Sequence, residues 1–148
     1  MTILRKFARR SWVERRTLVL ATALLLITRV TLSLLSFRRT LSLAARLGRA
    51  RRRPTEPTHL DRWIWALRVA GNRLFPGRPC LPQALVAHLV FRRAGYPSEI
   101  RIGTRRGSEG ELIAHAWVES GDRVVIGEID DGDRYVPFPP LPTSTRDG

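Results

Sequence analysis

The sequence predicts an α+β domain in which helices come first and a small antiparallel sheet comes last. Three observations carry that expectation. Residues 1–47 contain no Gly or Pro, so one long helix or two abutting ones fit, with Gly48 the first available stop. The run Cys80–Ala94 places Pro82 where only the first turn of a helix tolerates it, and ends at Gly95. From Glu99 onward the pattern changes to short alternating runs separated by turn residues, which is how strands read.

The 148 residues make one ordinary domain, and a hydrophobic share of 43% is enough for a core, which excludes wholesale disorder. One cysteine excludes an intramolecular disulfide and a multi-cysteine zinc site. With only three scattered histidines beside it, no metal or organic cofactor is expected. The cysteine count suits a reducing compartment, so a cytoplasmic location is expected, with membrane association as an addition. The formal charge is +13, and it is concentrated at the front. Residues 1–60 hold 14 Arg or Lys against Glu14 and Glu56, a net of +12, while residues 61–148 hold 12 Arg and 11 acids. A positive field of this kind attracts acidic partners without naming them. The near-neutral remainder is where specific chemistry is expected. The boundary is drawn between a basic, apolar helical segment, 1–58, and a core, 59–148.

In the first segment Arg5, Lys6, Arg9, Arg10, Arg15 and Arg16 precede the apolar run Thr17–Thr28, which Arg29 interrupts before Val30–Phe37 continues it. A signal peptide would carry a small-residue cleavage site, which this segment lacks. A bilayer span needs about 20 apolar residues, and here one would place Arg29 near mid-membrane. The expectation is therefore helices packed on the domain or a partner, ahead of an interfacial membrane helix. Arginines that flank apolar helices, with no exposed aromatics among them, make a poor nucleic-acid arm, and no nucleic acid is expected. Arg49–Pro57 reads as a linker that also contains no catalytic group, and His59 is placed with it.

Thr58 or Asp61 is expected to cap a helix through Trp63, Trp65, Leu67 and Val69 that ends near Gly71. Asn72–Pro79 reads as a loop. The helix that follows starts at Cys80, where unpaired amides and the helix dipole stabilise a thiolate and lower the thiol pKa. His88 lies two turns on, about 12 Å along the axis, too far to exchange a proton with it. Glu99–Gly103, Leu112–Glu119 and Arg123–Ile126 read as strands, with Arg105–Gly110 a polar turn and Gly121-Asp122 a two-residue hairpin loop of type II′. If Ser120 faces Arg123, then Val118 faces Val125, Trp117 faces Ile126 and His115 faces Glu128, at a Cβ separation of about 5 Å. A slip of one residue would put Gly127 or Ile129 opposite His115, and neither side chain orients an imidazole. The simple register thus predicts a Cys80, His115, Glu128 triad, with Asp130 the fallback acid and Asp122 confined to the turn.

A Cys at a helix start, a His on a strand and an acid on the next strand is the order of papain-like and transglutaminase-like enzymes. Cys80-Leu-Pro-Gln-Ala-Leu, Arg92-Arg93-Ala94-Gly95, Ile102-Gly103 and Ala114-His115-Ala116-Trp117-Val118-Glu119 resemble the stand-alone leader peptidase of lasso-peptide biosynthesis, the C-terminal half of a split B protein. The likeness is close over 76–128 and looser over 17–130. It implies a transglutaminase-like cysteine protease whose nucleophile helix packs on a small antiparallel sheet behind N-terminal helices. It implies catalytic Cys80, His115 and Glu128, and removal of the leader from a ribosomally made precursor peptide, a RiPP maturation step. The implied partners are that precursor, a separate leader-recognition protein and an ATP-dependent macrolactam cyclase, with residues 1–58 as the docking segment or a peripheral membrane contact. The Cys80 backbone N–H is the expected oxyanion donor, with Asn72 a candidate for the second. Two other readings remain at this point. One is an acyltransferase or transglutaminase on the same fold. The other is a non-enzymatic basic adaptor that binds membrane or nucleic acid.

Overall fold

The computed structural model describes residues 11–48, 56–77, 80–128 and 135–139. Among these, four helices precede a four-stranded antiparallel sheet, an α+β arrangement as the sequence predicts. The helices are α1 (Trp12–Leu34), α2 (Phe37–Leu47), α3 (Pro57–Leu74) and α4 (Cys80–Arg93). The strands are β1 (Glu99–Arg106), β2 (Leu112–Ser120), β3 (Arg123–Ile126) and β4 (Val136–Pro137), in the spatial order β3-β2-β1-β4.

Helix α1 starts at a reciprocal capping box, in which Ser11 accepts from the Glu14 amide and Glu14 accepts from the Ser11 amide. Extended backbone at Leu35 and Ser36 separates it from α2, so the glycine-free stretch forms two helices. Thr17, Ala21 and Leu25, one turn apart, are buried where α1 packs on α3 and α4. This segment therefore shares the core of the residues that follow it. The stretch 49–55, most of the expected linker, lies outside the described residues.

Helix α3 differs from expectation at both ends. It opens with Pro57 at its first position behind Glu56, whose side chain makes no capping bond, and neither Thr58 nor Asp61 is the cap. His59 thus lies in a first helical turn, not a linker, and accepts from the Trp63 indole at 3.2 Å. At the other end the helix runs past Gly71 to Leu74, which makes Asn72 helical. Gly71 is no terminator: it is small because the Gln83 side chain lies where its Cβ would be, and Gln83 Nε2 donates to the Leu67 carbonyl at 2.9 Å.

Helix α4 is the central element, buried from Pro82 to His88 and again at Val90 and Phe91. It ends in the paired bonds from Gly95 N to Arg92 O and from Tyr96 N to Phe91 O, with Gly95 at φ 87°. β1 continues three residues beyond the expected Gly103, so the turn falls at Gly107–Glu111. Ile100, Ala116, Val118 and Ile126 complete the core from the sheet.

Candidate active site

Cys80 is the first residue of α4, with Pro82 in the first turn, as the proline requires. Its thiol is half-buried. Burial alone would raise the thiol pKa, but the opposing contributions together outweigh it and the pKa is lowered. Those contributions are a hydrogen bond with the His115 side chain, the Ala116 amide, the positive charge available on His115, and the Leu81 amide. The sulfur thus faces one imidazole and two backbone N–H groups, an arrangement suited to a thiolate.

His115 stands on β2, and its Nε2 is 3.0 Å from the Gly127 carbonyl oxygen. A carbonyl only accepts, so Nε2 carries the proton in that bond. In the neutral ring this leaves Nδ1 as the nitrogen able to take the thiol's proton. Trp117, two residues on and on the same side of the strand, stacks beside the imidazole at 6.2 Å between centroids and 18° between planes. Trp117 in turn donates to Glu119 at 2.8 Å, and Glu119 accepts from Arg101 at 3.1 Å. Tyr135 closes the other flank with its ring centroid 5.2 Å from that of His115, and Arg105 lies over the tyrosine ring at 5.5 Å.

The expected partnership of His115 with Glu128 does not form. The hairpin opens as predicted, with Ser120 facing Arg123 and Glu119 facing Val124 across Gly121 at φ 60°. Beyond that the register shifts, so that Val118 faces Ile126 and Val125 is an extra residue on β3. Such a bulge moves every later residue by one place. Glu128 instead places its carboxylate 2.6 Å from Arg68 on α3, with its side chain 68% exposed. Asp130, the fallback acid, lies outside the described residues. Asp122 sits at the hairpin tip, in the turn where the sequence places it.

The shifted register leaves Gly127 beside Trp117 and takes Glu128 out of the position opposite His115, and the Gly127 backbone carbonyl does what a side chain was expected to do. Gly127 is at φ 78°, and a Cβ there would come within 2.7 Å of the Ala116 carbonyl. The same ending of β3 leaves the Ala116 amide to Cys80. The sequence signal for this was the glycine directly after the strand; the bulge has no signature in the residues that form it.

Cys80, His115 and Gly127 line one cleft of about 260 Å³, together with Asn72, Gln83 and Tyr135. Asn72 is exposed on the last turn of α3, and its amide makes no hydrogen bond to a described residue. Gln83 is held by Leu67. His88 is elsewhere in the core, 1% exposed, with Nδ1 3.0 Å from Ser98 Oγ. Among the described residues no three His, Cys, Asp or Glu side chains cluster as metal ligands would.

The family whose sequence pattern matches the chain is the transglutaminase-like superfamily, over residues 22–139. No curated protein and no solved structure matches the chain. The matched range takes in most of α1, both residues of the Cys–His couple and the strand beyond Tyr135.

Proposed function

The chain belongs to the transglutaminase-like superfamily, and from that premise we propose that it is a cysteine peptidase that removes the leader from a ribosomally made lasso-peptide precursor. The superfamily supports cysteine-protease or acyltransferase chemistry in general. The observation that carries the reading is the hydrogen-bonded Cys80–His115 couple at the mouth of a cleft, with the thiol pKa lowered. The resemblance of the Cys80 and His115 motifs to lasso leader peptidases supplies the substrate class.

In the proposed reaction His115 Nδ1 takes the Cys80 proton as sulfur attacks the carbonyl carbon of the scissile peptide. In this mechanism the Cys80 N–H, at the first position of a helix, faces the developing oxyanion, with the Asn72 amide as the second donor. His115 returns the proton to the leaving amine, which departs as the core peptide's free N-terminus. A water molecule, deprotonated by His115, then hydrolyses the thioester and releases the leader with a free carboxylate. The Gly127 carbonyl holds the ring in the needed tautomer throughout. The chain acts on the precursor in company with a separate leader-recognition protein, and an ATP-dependent cyclase uses the amine it frees.

Incubating the precursor with the chain and its leader-recognition protein tests this by product mass. Hydrolysis gives two fragments whose masses sum to precursor plus one water. A product in which an added amine replaces that water, even when amine is scarce, would assign acyl transfer instead. Cys80→Ala should give neither.

A further inference from the structure

Helix α1 is apolar on both sides, and among the described residues only one side is covered. Opposite the packed row Thr17, Ala21, Leu25 runs a second row, in which Val19 and Ile27 are each 60% exposed and Leu34 is 77% exposed. Leu20, Leu26 and Val30 fill the same arc and are also exposed. From Val19 to Leu34 the row extends about 22 Å at the helical rise of 1.5 Å per residue. A helix apolar all round is stable in water only where something covers it.

Two features say what covers it. The first is charge. Residues 11–48 contain six arginines and one acid, Glu14, which is spent on the capping box. Arg16 stands at one end of the row, and beyond its other end Arg38, Arg39 and Arg46 line one exposed face of α2 together with Leu35 and Leu43. This opposes a second copy of the chain, which would bring the same arginines together, and favours an anionic surface. The second is hydrogen bonding. On the sides of the helix away from its buried row, the hydroxyls of Thr22, Thr31 and Ser33 all donate to the helix's own carbonyls four residues back. A specific protein interface carries about one hydrogen bond per 100–200 Å², and this row offers a partner protein almost nothing to bond.

We propose that the outer faces of α1 and α2 seat the protein on an anionic lipid surface, with α1 lying in the headgroup plane and not crossing it. The buried row forbids a crossing, because Ala21 and Leu25 belong to the same core as α3 and α4. The apolar row enters the acyl boundary while the arginines meet the headgroups. The proposal stands independently of what Cys80 does.

Flotation of the full chain with phosphatidylcholine vesicles, with and without phosphatidylglycerol, tests it. Binding is expected only to the vesicles that contain phosphatidylglycerol. The double variant Ile27→Glu/Val30→Glu should lose at least about tenfold in affinity, and Arg38→Gln/Arg39→Gln about fivefold per arginine. Both pairs are exposed, so unchanged thermal melting and unchanged Cys80 alkylation should accompany the loss. Failure to float with the anionic vesicles would overturn the proposal. So would equal binding by the Ile27→Glu/Val30→Glu protein, since the basic residues alone would then account for it. Loss of vesicle binding when the leader-recognition protein is added, with that protein protecting Ile27 and Val30 from hydrogen exchange, would assign the row to a protein partner instead.

Discussion

At Cys80 two opposing influences act on one sulfur. Burial favours the thiol, while the His115 bond and the Ala116 and Leu81 amides favour the thiolate and together prevail. The proposed mechanism makes His115 the general base, so His115→Ala should reduce turnover by about 10²–10⁴-fold, measured as precursor cleavage by a folded protein. Glu128→Gln should change that rate less than about twofold. Its carboxylate is engaged with Arg68 in an exposed ion pair, a contact worth well under about 1 kcal/mol. Asn72→Ala should lower kcat by about 10²-fold with KM nearly unchanged, since in the proposed mechanism the amide is needed only as the oxyanion develops. Equal loss in kcat and binding would argue against that role. His88 supplies a pH dependence of stability. Burial and the nearby Arg92 charge lower its pKa to about 4, against a bond to Ser98 that raises it. A base with a depressed folded pKa binds its proton better in the unfolded chain. Stability should therefore be complete above pH 6.5, fall between there and about pH 4, and level off below. Urea titrations of wild type and His88→Gln across that window should show a smaller decline in the variant.

At the scale of elements, what the sequence reveals is uneven, for physical reasons. The Cys80 helix start was legible because Pro82 permits one placement, and the hairpin tip because Gly121 leads a two-residue loop. The β3 register was not legible, because a bulge is decided by how Val124, Val125 and Ile126 pack rather than by any residue that demands it. One extra residue takes the Glu128 carboxylate out of the position opposite His115, and the ring bonds the Gly127 carbonyl. Tyr135 is not legible as a site residue because it reaches the site beside β4, a two-residue strand with no pattern of its own. The end of α3 is not legible at Gly71, where glycine answers to a neighbour and not to a turn. That neighbour gives a direct prediction. Gly71→Ala would drive a methyl into the Gln83 side-chain amide and should cost about 1–3 kcal/mol by overpacking, read as a lower urea midpoint. Gly71→Ala combined with Gln83→Ala should recover part of the loss.

For the whole molecule, the N-terminal helix is part of the body that carries the chemistry. Ala21 and Leu25 are fully buried in the same cluster as Leu67, Leu85 and Val118. Removing residues 1–36 should therefore unfold the core rather than release an independent peptidase, and circular dichroism would show lost cooperative melting. Helices α1 and α2 thus share one core with the residues that follow them. All of this serves one couple, a thiol lowered by a histidine that a backbone carbonyl holds in place. The chain has a single cysteine, so iodoacetamide uptake followed by intact mass against pH reads that couple without interference. The wild-type rate should titrate below the range of an ordinary thiol, and His115→Ala should shift the midpoint upward and slow alkylation at neutral pH. Identical profiles for the two proteins, or a wild-type midpoint at or above the ordinary thiol value, would contradict the account.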